Sequence, residues 1–186
     1  MMACLRLLAA RQRISGWAAG IAPLRWWPLA AACVALQWYL ALGPGLEWPA
    51  PWRAATILAT QAAVTAVALA NLRRRWMPVL ATGLLMNLVV MAANGGLMPV
   101  SPETLARSGN GHVLQRVGPG QPLPRSKDII LPVEQTRLAF LSDVLVLPGR
   151  PGSFSPGDVL IAAGAFLVLQ AAVAAPRAAG AAARPS

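Results

Sequence analysis

The sequence predicts an all-α integral membrane protein with about four transmembrane helices and a roughly 60-residue extracytoplasmic segment, carrying short helices, between spans three and four. Three observations predict it. Long apolar stretches divide a chain that is 56% hydrophobic and only 12% charged, where a soluble domain averages about 25% charged residues. The segments between them alternate in charge. Arg6, Arg11, Arg13, Arg25, Arg73, Arg74, Arg75, Arg177 and Arg184 lie in acid-free segments, whereas Glu47, Glu103, Asp128, Glu134, Asp143 and Asp158 lie in mixed ones. Tryptophans stand at the ends of the apolar stretches, where amphipathic rings settle at headgroup level.

Residues 1–25 form a basic cytoplasmic or interfacial segment, broken too often by arginine for a secretory signal. Leu5, Leu7, Leu8 and Ile14 either line one face of a helix on the inner leaflet or belong to a frayed tail. Residues 26–93 hold three transmembrane helices. The first, Trp26–Gly43, has Pro28 in its first turn and stops at Gly43-Pro44-Gly45; at about 1.5 Å per residue it approaches the hydrocarbon thickness. A short loop with Glu47, Trp48 and Trp52 leads to the second, Ala54–Leu72, whose small residues suit close helix packing. Arg73-Arg74-Arg75 turns the chain into the third, Trp76–Ala93.

Residues 94–157 form the extracytoplasmic cap segment. Ser101-Pro102-Glu103 reads as a helix start, with a serine cap, proline in the first turn and an early acid; the helix ends near Gly109. Residues 110–127 read as irregular loop. Leu138, Leu141 and Leu145 recur at helical spacing and predict a second short helix over Val133–Val146. Ser155-Pro156-Gly157-Asp158 reads as a capping box opening the fourth span at 158–175. Pro176 ends that span, and 176–186 reads as a disordered cytoplasmic tail. Basic residues near span ends face the cytoplasm, so both termini lie inside and the protein belongs to a cytoplasmic (inner) membrane.

The composition also excludes functions. A net charge of +10 raises nucleic acid as a partner, but the basic residues gather at the ends of apolar stretches. Fifteen arginines against one lysine fit a base-composition bias equally well. Cys4 and Cys33 fall at the wrong side or depth for a disulfide, and two cysteines with one histidine make no ordinary zinc site. No cofactor motif is present. No charged residue lies at the centre of a span, which argues against ion-coupled transport.

The candidate polar site comprises Asn94, Gly95, Gly96, Ser101, Arg137, Asp143 and Asp158. Asn94-Gly95-Gly96-Leu97-Met98-Pro99-Val100-Ser101 packs a span end, a turn and a helix start into eight residues. Connector geometry is the plain expectation; free amides there would instead bind an anion such as a headgroup phosphate. Asp143 and Asp158 would do acid–base work only if brought together. Otherwise Asp158 starts a helix, and Asp143 pairs with Arg137 or caps a helix break. His112 is expected to be solvated or capping. Asn87, Gln37 and Gln61 are expected to hydrogen-bond between helices.

Three ordered motifs carry a family resemblance: Asn94–Ser101, then Thr136-Arg137-Leu138-Ala139-Phe140-Leu141-Ser142-Asp143, then Ser155-Pro156-Gly157-Asp158-Val159-Leu160. The chain resembles, over about residues 14–172, the bacterial membrane proteins classed as domain of unknown function 5317. The resemblance implies a multi-pass bacterial membrane protein and supplies no reaction, substrate or ligand. Family members carry a further hydrophobic segment before the basic stretch matching Arg11–Arg25; here either that helix is lost or the true start lies upstream. The family's Gly-Asp pair is Ser142-Asp143 in this chain. The expected role is non-catalytic binding, scaffolding or assembly at the outer membrane face, with the lipid bilayer and a further membrane protein as partners. The alternative is a small transporter or interfacial membrane enzyme.

Overall fold

A computed structural model describes residues 24–43, 48–149 and 151–182 of the chain. The expectations for residues 1–23 and for Glu47 lie outside the described residues. The elements in order are α1 (Trp27–Leu42), α2 (Ala50–Leu69), α3 (Met77–Ala93), β1 (Met98–Val100), α4 (Pro102–Arg107), β2 (Asp128–Ile130), β3 (Leu145–Val146), β4 (Ser153–Phe154) and α5 (Pro156–Ala182). The chain is mostly helical, with two small two-stranded sheets where an all-α fold is expected.

Of the described helices, Ala50–Leu69 alone is both long and apolar enough to cross a membrane, at a mean hydropathy of 1.2. Three further apolar helices, Trp27–Leu42, Met77–Ala93 and Pro156–Gln170, are shorter. Hydroxyls within α2 are satisfied by the preceding turn: Thr56 donates to the Trp52 carbonyl, Thr60 to Thr56 and Thr65 to Gln61. α1 is apolar on every side but buries only Cys33 and Leu40, leaving Trp27, Val34, Trp38, Tyr39 and Leu42 exposed.

α1 packs on α2, α2 on α3, and α3 on α5. The α3–α5 contact depends on small residues. A Cβ at Gly83 would come within 2.5 Å of the Gly157 carbonyl oxygen, and one at Gly164 within 2.5 Å of the Leu80 nitrogen. Without side chains at these positions the two backbones approach directly. Two apolar clusters fill the bundle. Ala68, Met77, Ala81 and Leu84 form one. Leu40, Ala54, Ile57, Val90, Met91, Leu97 and Met98 form the other. Met98 belongs to β1, so the 94–157 segment shares the core of the helices.

The turn out of α3 follows the expected geometry. Gly96 has φ +96, and a Cβ there would meet the Ala54 carbonyl oxygen at 2.9 Å, so both conformation and space require glycine. The Gly96 N–H reaches back to the Met91 carbonyl at 2.8 Å. β1 then pairs in parallel with β2, Met98 opposite Asp128 and Val100 opposite Ile130. Val100, Leu105 and Ile130 form a third core between this sheet and α4. α4 starts as expected, with the Thr104 N–H donating to the Ser101 hydroxyl at 3.1 Å, and ends at Arg107. The 110–127 stretch is irregular apart from a 3-10 turn over Gly111–Gln115, where His112 is exposed.

Two expectations are corrected. The helix expected over Val133–Val146 is absent. In its place stand 3-10 turns at Val133–Gln135 and Ala139–Leu141, then β3 paired antiparallel with β4. Helical spacing of the leucines loses to a tertiary contact: Asn94 holds the Arg137 backbone and Leu138 takes φ 55, a left-handed conformation no helix continues through. Leu141 alone of the three packs on the bundle core, while Leu138 and Leu145 are exposed. The second correction concerns the last helix. It starts at Pro156, two residues before the expected Asp158, and runs through Pro176 to Ala182. The alanines flanking Pro176 are the strongest helix formers, and their propensity offsets part of what a proline costs inside a helix.

Candidate functional site

At the start of α5 three side chains close a ring. Ser155 caps the helix by accepting the Asp158 N–H at 3.0 Å, and Asp158 Oδ2 accepts the Ser155 N–H at 3.0 Å. This is the reciprocal capping expected from the sequence. Asn87, in α3, completes the ring: its Nδ2 donates to Asp158 Oδ1 at 2.7 Å, and its Oδ1 accepts the Ser155 hydroxyl at 2.9 Å. Ser155 and Asn87 are fully buried. Lys127 Nζ stands 3.9 Å from Asp158 Oδ1.

Two more carboxyls lie within electrostatic reach of this ring. Asp128 opens β2 and accepts the Ser126 hydroxyl on Oδ2, while its Oδ1 is buried without a hydrogen-bond partner. Burial pushes the Asp128 pKa up against the lowering effects of Ser126 and Lys127, and Asp158 adds to the rise. Asp143 is held beside β1 by its N–H, which donates to the Pro99 carbonyl at 3.1 Å. Its side chain is 4% exposed, and its Oδ1 has no hydrogen-bond partner. Burial first, then the charges of Asp128 and Asp158, push its pKa from 3.8 to about 8, with Lys127 opposing. At neutral pH Asp143 is therefore mainly a neutral carboxylic acid, as expected where like charges crowd a buried space.

The seven residues singled out in the sequence divide into two groups and a cap. Asp143 and Asp158 come together in the acid cluster. Asn94, Gly95, Gly96 and Arg137 form the connector beside it. Asn94 Nδ2 donates to the carbonyls of Arg137 and Val90 at 2.8 and 2.7 Å, and its Oδ1 accepts the Arg137 N–H at 2.9 Å. Arg137 thus contributes its backbone; its side chain is exposed and forms no ion pair with Asp143. Of the amides of this turn, those of Asn94 and Gly96 donate to the Met91 carbonyl and that of Met98 to the Lys127 carbonyl. Ser101 serves α4.

Asn87, Ser155, Asp128 and Lys127 complete the cluster without having been included in the sequence-derived site. Lys127 carried one signal, as the sole lysine of the chain. Asn87 was expected to bond between helices, and it does. Gln37 and Gln61 also bond between helices, Gln37 Nε2 to Gln61 Oε1 at 3.4 Å and Gln61 Nε2 to the Leu84 carbonyl at 3.3 Å. Among the described residues no group of three or more His, Cys, Asp or Glu is placed to hold a metal ion. The three aspartates share a field rather than a coordination sphere.

Two clefts flank the cluster. One, of about 610 Å³, runs between α4 and the 133–144 segment and includes Glu103, Arg107, Glu134, Phe140 and Ser142. The other, of about 300 Å³, lies between the end of α1 and residues 125–127.

No curated protein and no solved structure matches the chain. One family model does, over residues 22–170, and it takes in the Asn94 connector, the Asp143 segment and the Ser155–Asp158 ring together. By that match the chain belongs to the family of unknown function DUF5317.

Proposed function

We propose that the chain is a four-span protein of a bacterial cytoplasmic membrane, with both ends inside and the 94–157 segment seated on the outer ends of the helices. α1 supports this reading most strongly. A helix that is apolar all round needs either a surrounding core or lipid, and α1 has a core neighbour on one side only. The acids described in the chain all belong to the cap or the first turn of α5, and Arg73–Arg75 to the opposite end. Alkaline extraction of membranes tests the reading: the protein stays in the pellet, and release into the supernatant would contradict it.

The role we infer is non-catalytic binding, scaffolding or assembly at the outer face. The observation that carries it is the use of polar groups on one another. Asn94, Ser155, Asn87 and Asp158 spend their hydrogen bonds on tying the cap to the helices. Reproducible recovery of one membrane protein or lipid with the intact chain is the expected result. Repeated purification without any constant companion would contradict it.

Asp143 favours a second reading, a small transporter or interfacial membrane enzyme. A buried carboxyl with a free oxygen and a pKa near neutrality can give or take a proton. Asp143→Asn separates the two, because an amide mimics the neutral acid in shape. Under the first reading the variant keeps both abundance and phenotype. Normal abundance with a lost phenotype would move the assignment to proton chemistry.

A further inference from the structure

We propose that the groove between the end of α1 and residues 125–127 binds an anionic phospholipid, its phosphate on Arg125 and one acyl chain along α1. The inference rests on the membrane reading above. The groove, of about 300 Å³, is lined by Gln37, Trp38, Ala41 and Leu42 on the helix and by Arg125, Ser126 and Lys127 on the loop. Its two walls differ in chemistry. The loop wall presents two cations, and its Ser126 hydroxyl already donates to Asp128. The helix wall is apolar apart from Gln37, whose amide already bonds to Gln61.

Charge complementarity selects an anion. Lys127 is shared with Asp158 at 3.9 Å, so its charge is partly compensated. Arg125 is exposed and has no hydrogen bond or ion pair among the described residues, which leaves a planar fork of donors free for phosphate oxygens. It also takes φ 57, an uncommon conformation for a side chain larger than glycine.

The apolar wall selects a lipid over a free anion. Val34, Trp38 and Leu42 are spaced four apart, so they stack along one face of α1, and they are 42%, 64% and 41% exposed. That stripe runs from mid-helix to the mouth of the groove. A phosphate held at Arg125 sets an attached acyl chain against it. Trp38 then lies at the junction of headgroup and chain, the depth at which tryptophan is enriched.

The test is lipid titration of the full chain in detergent, read by native mass spectrometry, with phosphatidylglycerol and phosphatidylcholine as probes. Wild type binds phosphatidylglycerol in preference. Arg125→Ala lowers that affinity about fivefold, the worth of one basic residue at a lipid surface, and leaves phosphatidylcholine unchanged. Arg125→Glu lowers it further, Arg125→Lys retains most of it, and Trp38→Ala weakens both lipids. Arg125 and Trp38 are exposed, so melting temperatures stay at the wild-type value; should Arg125→Ala or Arg125→Glu melt early, Arg125→Gln removes the charge at a similar side-chain length and takes their place. Unchanged phosphatidylglycerol affinity in Arg125→Glu would overturn the proposal. Full competition by millimolar inorganic phosphate would also overturn it, by assigning the groove to a free anion. Release of the protein by alkaline extraction sinks the membrane reading as well, whereas an unchanged Arg125→Glu in a protein that stays in the membrane sinks the groove alone.

Discussion

Asn71 follows α2 and grips both backbone polar atoms of Arg25, accepting its N–H at 2.9 Å and donating to its carbonyl at 3.0 Å. Asn94 follows α3 and grips Arg137 in the same way. Each amide also donates to the valine carbonyl four residues earlier, Val67 or Val90. Each gripped arginine precedes a residue in the left-handed region, Trp26 at φ 58 or Leu138 at φ 55, and each of those precedes a helical turn. The device is the same at both ends of the bundle, but its setting differs. Asn71 is 6% exposed, and the gripped segment leads into the whole of α1, with the Arg25 guanidinium over the Trp26 ring at 5.3 Å. Asn94 is half-buried, and its segment leads through a short 3-10 turn to Asp143. The basic end is closed by a helix; the acidic end is closed by a loop that delivers a buried acid.

That contrast can be broken one residue at a time. The largest effect is expected from Asp158→Asn. The carboxylate accepts on both oxygens, whereas an amide must turn a donor towards either the Ser155 N–H or Asn87 Nδ2. A loss of about 2–3 kcal/mol should follow, read as a lower melting temperature in detergent. Asn71→Ala comes next, at about 2 kcal/mol, because three hydrogen bonds are lost at a buried site. Asn94→Ala should cost about 1 kcal/mol, since Arg137 is exposed and water can replace the amide. An Asn94→Ala loss larger than that of Asn71→Ala would reverse the comparison.

The pH dependence sharpens it further. Asp143 has a folded pKa of about 8 against 3.8 unperturbed, so the folded chain holds more protons than the unfolded one between those values. Stability therefore falls as pH rises through that window and levels off above it. Asp128, raised by burial, adds a slope of the same sign. Melting curves of Asp143→Asn between pH 5 and 9 should be flatter than wild type; an unchanged slope would remove Asp143 from the account. The smallest effect belongs to Arg137→Ala, within about 0.5 kcal/mol, because Asn94 holds the backbone and not the guanidinium.

The sequence made the helical elements legible for local reasons. Pro28 and Pro102 sit in first turns, Ser101 and Ser155 cap, and Gly96 ends a helix, all within a few residues of chain, whereas Pro51, read as loop, opens α2 at Ala50 ahead of the expected Ala54. What escaped was set by distance along the chain. Leu138, Leu141 and Leu145 carry a helical period that nothing nearby contradicts; the contradiction comes from Asn94, 43 residues away. The site divides in the same manner. Asp158 was read as a capping residue and is one, but its bond to Asn87 spans 71 residues, and no spacing in the sequence brings Asp128 and Asp143 to it. Gly83, Gly157 and Gly164, which set how closely α3 and α5 approach, carried no local signal of their partnership.

On the proposed topology the acidic and basic ends lie on opposite sides of a membrane. A membrane-impermeant thiol reagent applied to intact cells tests it directly, in a chain with Cys4→Ser and Cys33→Ala. Arg116→Cys, at an exposed position in the cap, and Arg73→Cys, at an exposed position in the basic turn, report the two ends. Labelling is expected at 116, and none at 73 until the cells are permeabilised. Labelling at 73 with 116 protected would contradict it.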